Sequence, residues 1–311
     1  LSTANSPDYI GPGMFERMKH FVNNFTIQER YDYLALQNWL QGQTLIFVGG
    51  GPSLCQHARF LKETKIPILA GSSGILMCQH LGIVPWALMV MDSQVNLVDR
   101  LANVTWPRPV PLFYVGQSYH AAILAYHGGP RIYFCNYSPG YMGKVDFRDN
   151  EPFIPTGAHG VSTFSLSLAA VVGASNLCMF GVDLCLDARG KFYGCDTIPV
   201  DANSYANQET EFLHEKLMLQ IHADDQFQKH SVRSYRIGYM DTEVETLQGQ
   251  QYAFGILHTS MPECCSGSNL PLCLQSAGYS PAPADIPLVP FTADYYKHVL
   301  NTCTTLWTCC R

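Results

Sequence analysis

The stretch Leu45-Ile46-Phe47-Val48-Gly49-Gly50-Gly51-Pro52-Ser53-Leu54 decides the fold. Its short apolar run reads as a buried strand. Three glycines then let the backbone turn sharply and approach a ligand closely. Pro52 suits the first turn of a following helix, where its missing N–H costs nothing. The amides at that helix start predict an anion site, the usual seat of a nucleotide phosphate. The competing reading is a strand-to-helix turn with a structural purpose alone.

Outward from this stretch, strands and helices alternate. Ile66–Ala70 reads as the next strand, followed by a helix over Ser73–Leu81 that Gly82 closes. Trp86–Met91 is a strand ending in Asp92, and Pro111–Val115 and Arg131–Cys135 are further strands around a helix near Tyr119–Tyr126. A small-residue helix over Val161–Val172 leads into the strand Leu177–Val182, which ends in Asp183. This rhythm predicts an α/β fold: a doubly wound, mostly parallel Rossmann-like sheet with helices on both faces. Residues 14–40, with Phe15, Met18, Phe21 and Val22 at helical spacing, read as helix, and Gln208–Lys229 as a long amphipathic helix. Three segments follow: an N-terminal helical segment (1–40), a nucleotide-sugar-binding core (41–249) and a loop-rich, Cys- and Pro-rich region (250–311) that serves as a lid or docking surface.

Composition narrows the function. The 311 residues are 47% hydrophobic and 14% charged, which describes a packed globular protein. A net charge of −6 argues against nucleic acid as a partner. No apolar run approaches a membrane span in length. The N-terminal residues lack the features of a secretory signal, which predicts a reducing, cytoplasmic setting. The 12 cysteines contain no Cys-x-x-Cys pair, so Cys55, Cys78, Cys135, Cys178, Cys185 and Cys195 read as small hydrophobes. The C-terminal group from Cys264 to Cys310 fits no zinc spacing.

Several chemistries are excluded by spacing. A dinucleotide fingerprint needs a third glycine where Leu54 stands, and the acidic residue expected about 20 residues on is absent from Leu69-Ala-Gly-Ser-Ser-Gly74. Gly143-Lys144 is followed by Val145 and is no P-loop, and no Gly-x-Ser-x-Gly elbow occurs. In a doubly wound sheet the ligand sits beyond the carboxyl ends of the strands. Gly49–Ser53, Asp92, Thr156–Val161 and Asp183 should therefore converge there. Asp92 and Asp183, as strand-end carboxylates, either face the ligand or cap the following loop.

Phe47-Val-Gly-Gly-Gly-Pro-Ser-Leu54 resembles the Gly-x-Gly-Pro-Ser-Leu loop of bacterial sialyltransferases and motility-associated factor (Maf) glycosyltransferases. The same loop occurs in the archaeal 6-hydroxymethylpterin diphosphokinase-like group. His159-Gly-Val-Ser-Thr-Phe164 through Gly181-Val-Asp-Leu184 is similar to the glycine-led helix and the strand ending Gly-x-Asp of these families. Ile83-Val-Pro-Trp86 through Asp92, and Lys191-Phe-Tyr-Gly-Cys-Asp-Thr197, extend the likeness over roughly residues 40–200. The resemblance implies a metal-independent transferase that uses a CMP-activated, sialic-acid-like nonulosonic sugar, with a hydroxyl acceptor such as a flagellin Ser or Thr. Carried over by position, Gly49, Gly50, Gly51, Pro52 and Ser53 would contact the nucleotide, and Thr156, His159, Gly160 and Val161 would line its ribose and base side. Tyr193 would donate to the phosphate. Departures are Gly50 in place of a sialyltransferase asparagine and His159 in place of a serine.

Glycosyl transfer needs a base for the acceptor proton and donors for the departing phosphate. His214 is the first candidate base and His222 the second, while His159, beside a helix start, reads as a neutral hydrogen-bonding group. No cofactor is required on this reading. The first alternative is pyrophosphate transfer from ATP in the diphosphokinase manner, which needs Mg²⁺ held by carboxylates; there the family's Asp-x-Asp-Gly is replaced by Asp92-Ser-Gln-Val95. The second is a non-catalytic relative that binds a nucleotide or sugar.

Overall fold

A computed structural model of the chain describes residues 12–25, 27, 31–135, 160–184, 194, 219, 221–237, 244–245 and 251–252. After helix α1 (Pro12–Phe25) come β1 (Tyr31–Asp32), β2 (Thr44–Val48), α2 (Ala58–Glu63), β3 (Ile68–Gly71), α3 (Ser72–Leu81) and β4 (Ala87–Val90). Then follow α4 (Leu97–Leu101), β5 (Leu112–Val115), α5 (His120–Ala125), β6 (Arg131–Cys135), α6 (Val161–Val171) and β7 (Asn176–Phe180). Residues 221–230 form a helix, α7, that leads to β8 (Arg233–Ile237). Eight strands pair in the order β1-β6-β5-β4-β3-β2-β7-β8, and every pairing in this sheet is parallel. A separate two-residue pairing joins Val244–Glu245 to Gln251–Tyr252.

The expected α/β class holds, and its cause is visible in the strands. In a parallel sheet both faces are covered, so strands are continuously apolar and not alternating. Leu45, Ile46, Phe47 and Val48 are all fully buried. Ile46, Val48, Ala70, Leu88 and Tyr114 pack with α2 to α5 on one face. Phe47, Leu69, Met89, Phe113 and Met179 pack with α6 on the other. Cys78 and Cys178 are buried among these apolar side chains, and burial pushes the Cys78 thiol up to about 12.

One sequence expectation is corrected. The helix read over 14–40 ends at Phe25, and Tyr31–Asp32 pairs with Ile132 and Tyr133 as an edge strand. Tyr33, Leu36 and Leu40 keep the apolar spacing of a helix, yet a 3-10 turn over Tyr33–Leu36 suffices to bury all three. Tyr33 meets Phe134 edge-on at 4.9 Å, so residues 31–40 belong to the core and not to an N-terminal segment. Of the region 250–311, only 251 and 252 are described, and the proposed lid lies outside the described residues. Among the described residues no helix is long and apolar enough to cross a membrane.

Candidate functional site

Strand order reverses between β2 and β7. From β2 the chain winds outward through β3, β4, β5 and β6, and from β7 it winds the opposite way to β8. Loops leaving neighbouring strands at such a point part to opposite sides and leave a crevice. A cavity of about 200 Å³ opens there. Its wall combines the loop after β2 (Gly49, Gly50, Gly51), the start of α3 (Ser72, Ser73), Asp92 beyond β4, and Arg100 on α4. The start of α6 (Gly160, Val161, Ser162) and the loop after β7 (Gly181 to Leu184) complete it, with Phe47 beneath. Gly49, Gly50, Gly51, Asp92, Gly160, Val161 and Asp183 thus meet as the sequence predicts.

The glycine loop is pinned to the loop after β7. Gly49 N–H donates to Phe180 O at 2.8 Å, and Gly51 N–H to Gly181 O at 2.7 Å. Ser53 N–H donates to Asp183 Oδ2 at 2.9 Å, and the Ser53 hydroxyl donates to Asp183 Oδ1. The Ser53 amide, in the 3-10 helix Pro52–His57 that precedes α2, is therefore already taken by a carboxylate of the chain itself. Pro52 and Ser53 are buried and form no part of the cavity wall. A Cβ on Gly51 would collide with Asp183 Oδ2, so close packing of one loop on the other is what requires glycine. Gly50 O accepts from Gly194 N at 3.0 Å, which ties the segment after β7 to this loop.

Both acids of the cleft have partners. Burial pushes the Asp183 carboxyl above its ordinary range, opposed by the two Ser53 donors and by Arg236. Arg236 Nη1 also donates to Asp183 O at 3.4 Å. Asp92 Oδ2 accepts from Arg100 Nη1 at 3.2 Å. A divalent cation needs open carboxylate oxygens. Here Asp183 is buried against Ser53, while Asp92, partly exposed, gives one oxygen to the Arg100 guanidinium, so Asp92 is the one acid of the pair that could meet a cation. Among the described residues no three His, Cys, Asp or Glu side chains gather as a metal cluster.

Thr156, His159, Tyr193 and His214 lie outside the described residues. His222 lies on α7, is buried, and takes no part in the cavity wall. Burial lowers its imidazole to about 4, against a smaller pull from Asp225. A histidine depressed on folding takes up protons more readily in the unfolded chain, so its contribution to stability falls as pH drops from about 6.5 to about 4. His222→Gln is expected to remove about 1–2 kcal/mol of this acid-side loss, solvent screening included. Urea midpoints measured at pH 7 and pH 4.5 for both proteins check it.

Ser72, Ser73, Arg100 and Ser162 also reach the cleft without having been singled out in the sequence. Ser72 and Ser73 directly follow a strand, and the strand-end rule that selected Asp92 could have found them. Arg100 carries no such signal, because only the turn of α4 brings it back to Asp92.

Residues 19–189, over half of the chain, match the family model described as MptE-like, 6-hydroxymethylpterin diphosphokinase MptE-like. The chain belongs to the MptE-like family. Its resemblance to the glycine loop of that group therefore stands. No curated protein matches this MptE-like chain by sequence. Among solved structures it is similar to a Maf glycosyltransferase from Magnetospirillum magneticum, at 13% identity and a TM-score of 0.45, over 71% of this chain and 38% of that one. It is also similar to a thiamin pyrophosphokinase from Geobacillus thermodenitrificans, at 11% identity and a TM-score of 0.31, over 63% of this chain and 60% of that one. The MptE-like chain thus spans well under half the length of the first.

Proposed function

We propose that the cleft binds a nucleotide-activated donor and that the chain transfers a nonulosonic, sialic-acid-like sugar from its CMP ester to a hydroxyl, such as a protein Ser or Thr. The observation that carries this reading is the Arg100 guanidinium at the cleft wall, held by Asp92. Ser72, Ser73 and Ser162 share that wall, so the cleft offers hydroxyl donors and a guanidinium to a departing phosphate. Such donors stabilise developing charge without a metal. In the transfer the acceptor oxygen bonds to the anomeric carbon, and the bond from that carbon to the phosphate oxygen breaks. CMP leaves with the electron pair. The hydroxyl proton passes to a base, for which His214 is the first choice, with Tyr193 a donor to the phosphate. This chemistry uses no cofactor and suits a cytoplasmic enzyme acting on a protein such as flagellin.

The family's description favours a second reading, pyrophosphate transfer from Mg·ATP. Thermal unfolding with CMP, CDP or ATP, each with and without Mg²⁺, separates the two. Donor binding at about 100 times Kd adds about 2.7 kcal/mol, or a rise of about 4–8 °C. Stabilisation by the cytidine nucleotides regardless of Mg²⁺ supports glycosyl transfer. Stabilisation by Mg·ATP alone supports the diphosphokinase reading. No shift with any nucleotide favours a non-catalytic relative.

A further inference from the structure

Helices α3 and α6 both begin at the cleft, and both begin on glycine. Gly71 and Gly160 occupy the N-cap positions, and neither helix has a side-chain cap. The first amides of a helix have no partner within it, and its dipole makes that end positive. These two starts are adjacent. A Cβ placed on Gly71 would lie 2.8 Å from Val161 Cγ1. Ser72 and Ser73 from one helix, and Ser162 from the other, face the same cavity.

Two further polar groups point to a ligand. Ser72 is 4% exposed, and its hydroxyl has no hydrogen-bond partner among the described residues. Arg100 is 7% exposed; it gives one nitrogen to Asp92, while its Nε has no partner among the described residues. Buried donors left unmatched are costly, and native proteins rarely keep them without reason. All these groups are donors or positive ends, whereas the Ser53 amide is already taken by Asp183.

We propose that the phosphate subsite of this cleft is built by the starts of α3 and α6 together with Ser72 and Arg100, and not by the glycine loop. It rests on the reading that the cleft receives an activated phosphate ester, and it takes a phosphoryl group of any such ester. The guanidinium supplies the countercharge, the Ser72 hydroxyl and first-turn amides supply hydrogen bonds, and Asp92 holds Arg100 in place when no anion is bound. Asp92 also opposes the incoming charge, so it tunes the affinity downward.

Titration calorimetry with CMP, cytidine and inorganic pyrophosphate, without Mg²⁺, tests this on the full chain and on Arg100→Gln, Ser72→Ala and Asp92→Asn. Arg100→Gln is expected to weaken CMP and pyrophosphate at least tenfold, and Ser72→Ala about threefold or more, with cytidine unchanged. Asp92→Asn is expected to tighten pyrophosphate about threefold, which a merely structural role for the pair would not do. If Arg100→Gln fails to fold, Ser72→Ala decides in the same sense. Pyrophosphate binding that Arg100→Gln weakens, in a chain that does not bind CMP, supports the subsite while overturning the donor reading. CMP binding that survives unchanged in Arg100→Gln and Ser72→Ala overturns the subsite alone. Absence of binding by every phosphate probe overturns it too, as does pyrophosphate binding that needs Mg²⁺ and is lost in Asp92→Asn.

Discussion

Gly51→Ala is expected to destabilise the chain by about 2–4 kcal/mol, the cost of forcing atoms into a packed interior. The added methyl would strike Asp183 Oδ2 and lie 2.8 Å from both the Asp183 carboxyl carbon and Gly181 O. Two of these three atoms are held by hydrogen bonds, Oδ2 to Ser53 N–H and Gly181 O to the Gly51 amide itself. Relief would require the loops after β2 and β7 to separate, and these loops form one side of the cleft. Stability and nucleotide binding should therefore fall together, read as a lower urea midpoint and a lost thermal shift with CMP. A variant that kept its midpoint but lost the thermal shift would instead place Gly51 against the ligand.

Asp183→Ala is expected to cost about 3 kcal/mol or more, because it leaves two buried Ser53 donors unmatched. Ser53 is fully buried, so water does not replace the lost acceptor. Asp183→Asn, which keeps an acceptor for the amide, should cost less than half as much. The pH dependence gives an independent reading. Burial raises the folded-state carboxyl above its ordinary range. A carboxyl raised on folding binds more protons in the folded chain, so its contribution is fullest at low pH and declines as pH rises through the raised value. Asp183→Asn should flatten that decline between pH 4 and pH 7 in equilibrium unfolding. An unchanged pH profile would show that another group titrates there.

Legibility differed from element to element. Runs such as Leu45–Val48 and Leu112–Val115 announced buried strands because a parallel sheet demands apolar residues on both faces. Gly82, observed at φ +67, announced the end of α3 for the backbone reason that glycine adopts a left-handed conformation freely. Residues 31–40 misled, since apolar spacing of three and four serves a 3-10 turn as well as a helix. β8 went unread: Arg233-Ser-Tyr-Arg-Ile237 is mostly polar and lacks the apolar run of the other strands, and only its pairing beside β7 makes it part of the sheet. Asp92 and Asp183 were legible as strand-end acids. Their partners were not, because Arg100 comes from a neighbouring helix and Ser53 lies 130 residues from Asp183 in sequence.

By itself the sequence determined the alternation of strands and helices, the family, and the end of the sheet at which the cleft opens. Those properties follow from local periodicity and turn chemistry, which act over a few residues. Tertiary structure alone decided which donors remain open. It spent the Ser53 amide on Asp183 and brought two glycine-capped helix starts beside Arg100. A hydrogen bond is committed or open only in relation to its partner, and that partner is supplied by the fold.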